Sequence, residues 1–185
     1  MARRRKDPIA VSIVVTASMI KFDKVSFEQY CKDRIARSSV TILQEEMALE
    51  YDAISLPKRG TLYSAGYDIR TPFDVKLEPG ESVVIPTGLR SVMEPDMWLG
   101  IYIRSSLGFK HGVRLLNSVA VIDADYSGAA NEGHLMVGIY NGGDHTVELK
   151  AQDAFAQGIF QKYYITDDDE PVNQVRKGGF GSTNA

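Results

Sequence analysis

Four short clusters hold side chains able to do chemistry. Ala65-Gly66-Tyr67-Asp68 sets a carboxylate directly behind a glycine turn. Arg104-Ser105-Ser106-Leu107-Gly108 joins a guanidinium to two hydroxyls and turn N–H groups, the ingredients of an oxyanion or phosphate cradle. Asn117 to Tyr126 runs through Val121-Ile122-Asp123-Ala124-Asp125-Tyr126, placing acids at the end of an apolar strand where a hairpin can aim them. The fourth cluster, Arg176-Lys177-Gly178-Gly179-Phe180-Gly181-Ser182-Thr183, is a Gly-rich arm with one aromatic. Such an arm is either a frayed terminus or a lid that orders on a ligand. Each cluster also has a plain structural explanation: a turn, a surface ion pair, a strand end, a loose terminus. None of the four specifies a reaction alone.

The elements that must position these residues change character along the chain. Ser26-Phe27-Glu28-Gln29 has the capping-box pattern, and Phe27, Tyr30, Cys31 and Ile35 follow one helical face, so a helix is expected there. Leu43 to Tyr51 is a weaker helical candidate. From Leu56 onward, short β-rich runs alternate with Gly and Pro: Phe73–Leu77, Ser82–Ile85, Trp98–Ile103, Val119–Ile122, Leu135–Tyr140 and Phe155–Tyr164. That texture predicts an all-β sandwich or barrel with a short N-terminal helix. The expected divisions are an N-terminal extension over 1–56, a β core over 57–165, and an acidic linker with the arm over 166–185.

Composition narrows the function classes. The 185 residues suffice for one core without staples. Of 21 positive charges, four (Arg3, Arg4, Arg5, Lys6) lie in the first six residues. The remainder, 17 against 24 negative charges, carries −7 and lacks the positive face that nucleic-acid binding requires. No apolar run approaches the ~20 residues of a membrane span. The single cysteine, Cys31, excludes an internal disulfide and a multi-thiolate zinc site, and suits a reducing, cytoplasmic location. Basic Met1–Lys6 before apolar Ile9–Ala17 has the outline of a secretory leader. Asp7 and Pro8 interrupt that junction, however, and the β-branched run suits a strand better.

In order and content the clusters, with Ala154-Phe155-Ala156-Gln157 as a further one, resemble the five motifs of the trimeric dUTPase family over about Leu62 to Thr183. The resemblance implies a jelly-roll, β-barrel-like subunit and a homotrimer whose sites draw on more than one chain. It implies Mg²⁺-assisted hydrolysis of dUTP to dUMP and pyrophosphate, which limits uracil in DNA and supplies dUMP. By the same resemblance Asp123 activates the water, Asp68 orders solvent near the metal, and the protein itself supplies no direct metal ligand. Arg104, Ser105, Ser106 and Gln157 hold phosphates, Asn117 reads the uracil edge, and Tyr126 lies under the deoxyribose. Phe180 stacks on the base, while Arg176, Gly181, Ser182 and Thr183 close over the outer phosphates.

The chain departs from that pattern in three places. Ser127 to His134 makes a loop longer by about five residues than is usual, expected to alter the site mouth or a partner surface. Its Glu132 and His134 are too few ligands for a tight metal site. Arg176 stands four residues before Phe180, one fewer than usual, and the front segment is long, a second candidate partner surface. Two rivals share the fold. A dCTP deaminase needs a glutamate three residues before Asn141, where this chain has Gly138. A dUTP-gated regulatory binding protein is the other.

Overall fold

A computed structural model of the chain describes residues 19–170. The strand expected at 9–17 and the arm at 176–183 lie outside the described residues. In chain order the elements are β1 (Lys21–Lys24), α1 (Phe27–Ala36), α2 (Gln44–Ala53), β2 (Lys58–Arg59), β3 (Tyr67–Arg70), β4 (Val75–Leu77), β5 (Ser82–Pro86), β6 (Leu89–Val92) and β7 (Met97–Ile103). They continue with α3 (Ser105–His111), β8 (Val113–Leu115), β9 (Ala120–Asp123), β10 (Met136–Asn141), β11 (Val147–Leu149) and β12 (Ala154–Lys162).

The mostly-β architecture expected is the one observed. The strands form small sheets: β1-β6, β5-β10-β8, β11-β4, and a five-stranded sheet ordered β2-β3-β12-β7-β9. Alternation sets which side faces inward, because successive strand residues point to opposite faces. In β9, Ala120 and Ile122 are buried while Val121 and Asp123 are exposed; in β4, β8 and β11 the two apolar ends are buried around an exposed centre. Leu99, Ile101, Ile69 and Ala156 supply the inner face of the five-stranded sheet, and Phe155, where the pairing of β12 with β3 is irregular, is buried as well. Each of the leucine, isoleucine and phenylalanine side chains contributes about 1.5–3 kcal/mol by leaving water.

The front segment belongs to the same core. Phe22, Val25, Tyr30, Met47 and Ile54 are buried in one cluster with the barrel residues, and β1 pairs antiparallel with β6. Arg34 fastens α1 to α2 through two 3.0 Å hydrogen bonds to Glu50, which also accepts from the Tyr30 hydroxyl at 2.7 Å.

The capping box at α1 is built differently from its sequence pattern. Ser26 Oγ accepts from the Gln29 N–H as expected, but the Gln29 amide turns to Asp33. The Ser26 N–H donates instead to Glu132 Oε2 at 2.8 Å, and its hydroxyl donates to Glu132 Oε1 at 2.6 Å. A carboxylate is the stronger acceptor and suits the positive end of a helix. Two residues on, His134 is fully buried. Its Nε2 accepts from the Gly88 N–H at 2.8 Å, so Nδ1 carries the proton and donates to Asp33 Oδ2 at 2.6 Å. The long loop and the front segment are thus each other's partners: the loop meets the chain's own helix.

Candidate active site

The five-stranded sheet places most of the candidate residues. Antiparallel register puts Asp68 (β3), Gln157 (β12) and Tyr102 (β7) in one cross-strand row. Directly opposed residues share a face, and the neighbouring Ile69, Ala156 and Ile101 are buried, so this row faces outward. Arg104, two residues beyond Tyr102, continues the row. Its backbone N–H donates to the Phe155 carbonyl at 3.0 Å, and its Nη1 donates to Asp68 Oδ2 at 3.0 Å. That ion pair is half-exposed, with side-chain exposures of 39% for Arg104 and 21% for Asp68. A guanidinium has five N–H donors; using one on Asp68 orients the fork and leaves donors for an anion.

Gly66 has a spatial reason to be glycine. A Cβ there would overlap Gln157 Oε1, so the missing side chain is the space in which Gln157 lies. Ser105 and Ser106 begin α3, both exposed, immediately after Arg104. The cluster expected as an oxyanion or phosphate cradle is a strand-to-helix junction, and the short helix ends at Gly112, with φ +66°.

Asp123 stands elsewhere on the same outward face. β9 pairs with β7 so that Asp123 lies opposite Trp98, four residues from Tyr102. Along an extended strand that is about 13 Å. A 3₁₀ turn over Ala124–Gly128 follows and holds Tyr126, a residue 3% exposed. The Tyr126 hydroxyl donates to the His134 carbonyl at 3.0 Å and accepts from Asn131 Nδ2 at 2.8 Å.

The hairpin expected around Asn117 is splayed. β8 pairs with β10 whereas β9 pairs with β7, so the two strands enter different sheets. A tight turn joins them: the Val119 N–H donates to the Asn117 carbonyl at 2.6 Å, and Ser118 adopts φ +60°. A left-handed serine costs about 1 kcal/mol. Asn117 lines an open cleft with Arg37, Val84, Leu116 and Gly138. At Gly138 a Cβ would stand 2.7 Å from Leu116 Cδ1. The position where a deaminase needs its glutamate is bare, and leucine covers it.

A model of the dUTPase family matches residues 52–184. This chain is a member of the dUTPase family. Over 134 residues it is 43% identical to the deoxyuridine 5'-triphosphate nucleotidohydrolase of Lactococcus lactis subsp. lactis, covering 71% of this chain and 89% of that one. The enzyme of the same name from Tolumonas auensis is 39% identical over 135 residues, covering 69% and 86%. The crystal structure of dUTPase from Streptococcus mutans superposes with a TM-score of 0.59 at 32% identity, over 80% of this chain and 98% of that one.

Against that family background, the structure brings Asp68, Arg104, Ser105 and Gln157 to one end of the outward sheet face. Asp123 with Tyr126, and Asn117 in its cleft, lie apart from them within one chain. Arg176, Phe180, Gly181, Ser182 and Thr183 fall outside the described residues. Sequence reasoning missed the Asp68–Arg104 pair, the outward Tyr102 beside Gln157, and the Asn131 contact to Tyr126. The first two follow from strand register, for which a single sequence carries no signal; the third lay unread in the long loop. His111 and His145 pair with each other at 2.9 Å on the exposed surface.

Proposed function

We propose that the chain hydrolyses dUTP to dUMP and pyrophosphate as a homotrimer, at sites completed between chains. Family membership supports the reaction. The observation that carries the shared-site reading is the separation of Asp123 from the Asp68–Arg104–Gln157 group along β7 on one outward face. A second chain packed on that face can bring its Asp123 to this group; one chain alone cannot.

In this reading Asp123 takes a proton from water as the water oxygen attacks the α-phosphorus, and pyrophosphate leaves. Arg104, Ser105, Ser106 and Gln157 hold the phosphate chain, with Arg104 oriented by Asp68. Asn117 and the backbone of its turn read the uracil edge, and a base with the wrong donor pattern leaves buried polar groups unpaired. Tyr126 occupies the space a 2′-hydroxyl would need. Arg176, Phe180, Gly181, Ser182 and Thr183 close over base and phosphates, a role that rests on the resemblance of their motif.

Among the described residues no three His, Cys, Asp or Glu side chains converge as a metal cage. Mg²⁺ carried by a triphosphate keeps several waters, so the phosphates and water would hold the ion without a protein ligand. Asp68 would act through one of those waters, ordering it near the metal. When bound, the ion offsets the charge on the phosphates.

Pyrophosphate release should be measured with dUTP, UTP, dTTP and dCTP. Release from dUTP far above the others is expected. Equal turnover of UTP would overturn the sugar assignment, and ammonia from dCTP would overturn the reaction.

A further inference from the structure

The long loop that follows Tyr126 holds its hydroxyl at two points. The hydroxyl donates to the His134 carbonyl at 3.0 Å and accepts from Asn131 Nδ2 at 2.8 Å. A phenol hydroxyl has one proton to give, and here it goes to the loop. The loop is in turn a stiff platform. Its backbone is tied by the His134 N–H to the Asn131 carbonyl at 3.1 Å and the Glu132 N–H to the Ala129 carbonyl at 2.8 Å. Its side chains anchor it at two points on the front helix, Glu132 on Ser26 and His134 on Asp33, and His134 is clamped from behind by the Gly88 N–H. Gly133 adopts φ +72°, and a Cβ there would stand 2.7 Å from the Tyr126 carbonyl, so loop and tyrosine are packed against each other.

We propose that Asn131 is a positioning residue for sugar selection: by holding the Tyr126 hydroxyl it fixes the ring, and the long loop thereby sets how strictly a 2′-hydroxyl is refused. The inference rests on the placement of Tyr126 under the sugar. Asn131 itself need not touch substrate. Its effect is geometric, because a ring pinned at its far end cannot tilt to admit one more oxygen, and a ring released from that pin can.

The test reads the ratio of kcat/KM for UTP to that for dUTP in Asn131→Ala, Tyr126→Phe and the double variant, each in the full chain. Loss of one hydrogen bond in Asn131→Ala predicts a rise in that ratio of about fivefold, with kcat for dUTP in that variant kept within about twofold. Tyr126→Phe gives up both bonds, to Asn131 and to the His134 carbonyl, and should raise the ratio at least as far. The double variant should rise no further than Tyr126→Phe, which already removes the contact to Asn131. Val75→Ala, in the core at β4 and away from the loop, serves as the stability control and should keep the parental ratio. A parental ratio in Asn131→Ala beside a raised one in Tyr126→Phe overturns the proposal and leaves the tyrosine reading intact. A parental ratio in Tyr126→Leu, which removes the ring, overturns the tyrosine reading itself. If Val75→Ala raises the ratio as much as Asn131→Ala, general loosening accounts for the effect and the proposal falls. Should Asn131→Ala not fold, Asn131→Ser, a shorter donor, is read in its place with the same expected rise.

Discussion

Asp123 and Gln157 face outward from the same sheet yet are held four positions apart along β7, one opposite Trp98 and the other opposite Tyr102. Rigid pairing on both sides of β7 fixes that separation. A small motion cannot close about 13 Å of strand.

This separation yields a complementation test. Asp123→Asn should retain dUTP binding and lose about 10²–10⁴-fold in turnover, and Gln157→Ala should weaken phosphate binding. Mixing the two variants after unfolding and reassembly should restore about a quarter of parental activity, as random assembly of sites shared between two chains requires. Pyrophosphate release from the mixture, compared with each variant alone, checks it. No recovery in a mixed trimer would place both residues in one chain's site.

Gly66→Ala should separate activity from stability. The added Cβ overlaps Gln157 Oε1 and stands 3.0 Å from its Cδ and 3.2 Å from its Cβ, so the amide must swing away, at a cost of about 1 kcal/mol, and the Gln157 Cβ must yield slightly. The amide then no longer points where the phosphates would lie. Thermal unfolding should change little while KM for dUTP rises by about tenfold, a loss comparable to one charge-assisted hydrogen bond.

Deamination of dCTP should be undetectable, and Gly138→Glu alone should not create it. Leu116 lies over that position, and one carboxylate placed against leucine has no aligned water to activate. Ammonia release from dCTP by the parent and this variant is the measurement.

Glu132 should stabilise the front helix in a pH-dependent way. The Ser26 hydroxyl, and then its N–H, hold the Glu132 carboxyl below its ordinary 4.5. Asp33 is also held low: burial pushes it up, and hydrogen bonds from His134 and Gln29 more than offset that. A folded pKa below the unfolded one means the folded state binds fewer protons, so the contribution is present above about pH 4.5 and lost as pH falls through the folded value. Glu132→Gln should cost about 1 kcal/mol at pH 7, the usual scale of an N-cap. Urea unfolding across pH 3 to 7 should show that difference shrinking at the acid end.

The residues proposed for the site could be picked out because they are carried by short local signals. Asp68 follows a glycine turn, Asp123 closes an apolar alternation, and Ser105 follows an arginine at a strand end. The six predicted β runs were found where alternation lasted long enough to see. β4, seen only within a longer run, and β8 and β11 have three residues each, too few to distinguish a period of two from chance. β3 and β6 carry charged or polar outward residues (Asp68, Arg70, Arg90) that read as loop. α3 contains Gly108, a poor helix former, and is held by its place between two strands.

The sequence by itself determined the chemistry available and the order in which it occurs: which residue types, at which spacing, in an acidic β-rich chain. Only the tertiary structure decided who meets whom. Glu132 caps a helix 106 positions earlier in the chain, His134 is a buried tie rather than a metal ligand, and Asp123 is separated from the row of Asp68, Gln157 and Tyr102. These pairings come from strand register and from closing loops of a hundred residues. Both are set by the packing of the whole core, and no local run of residues encodes them.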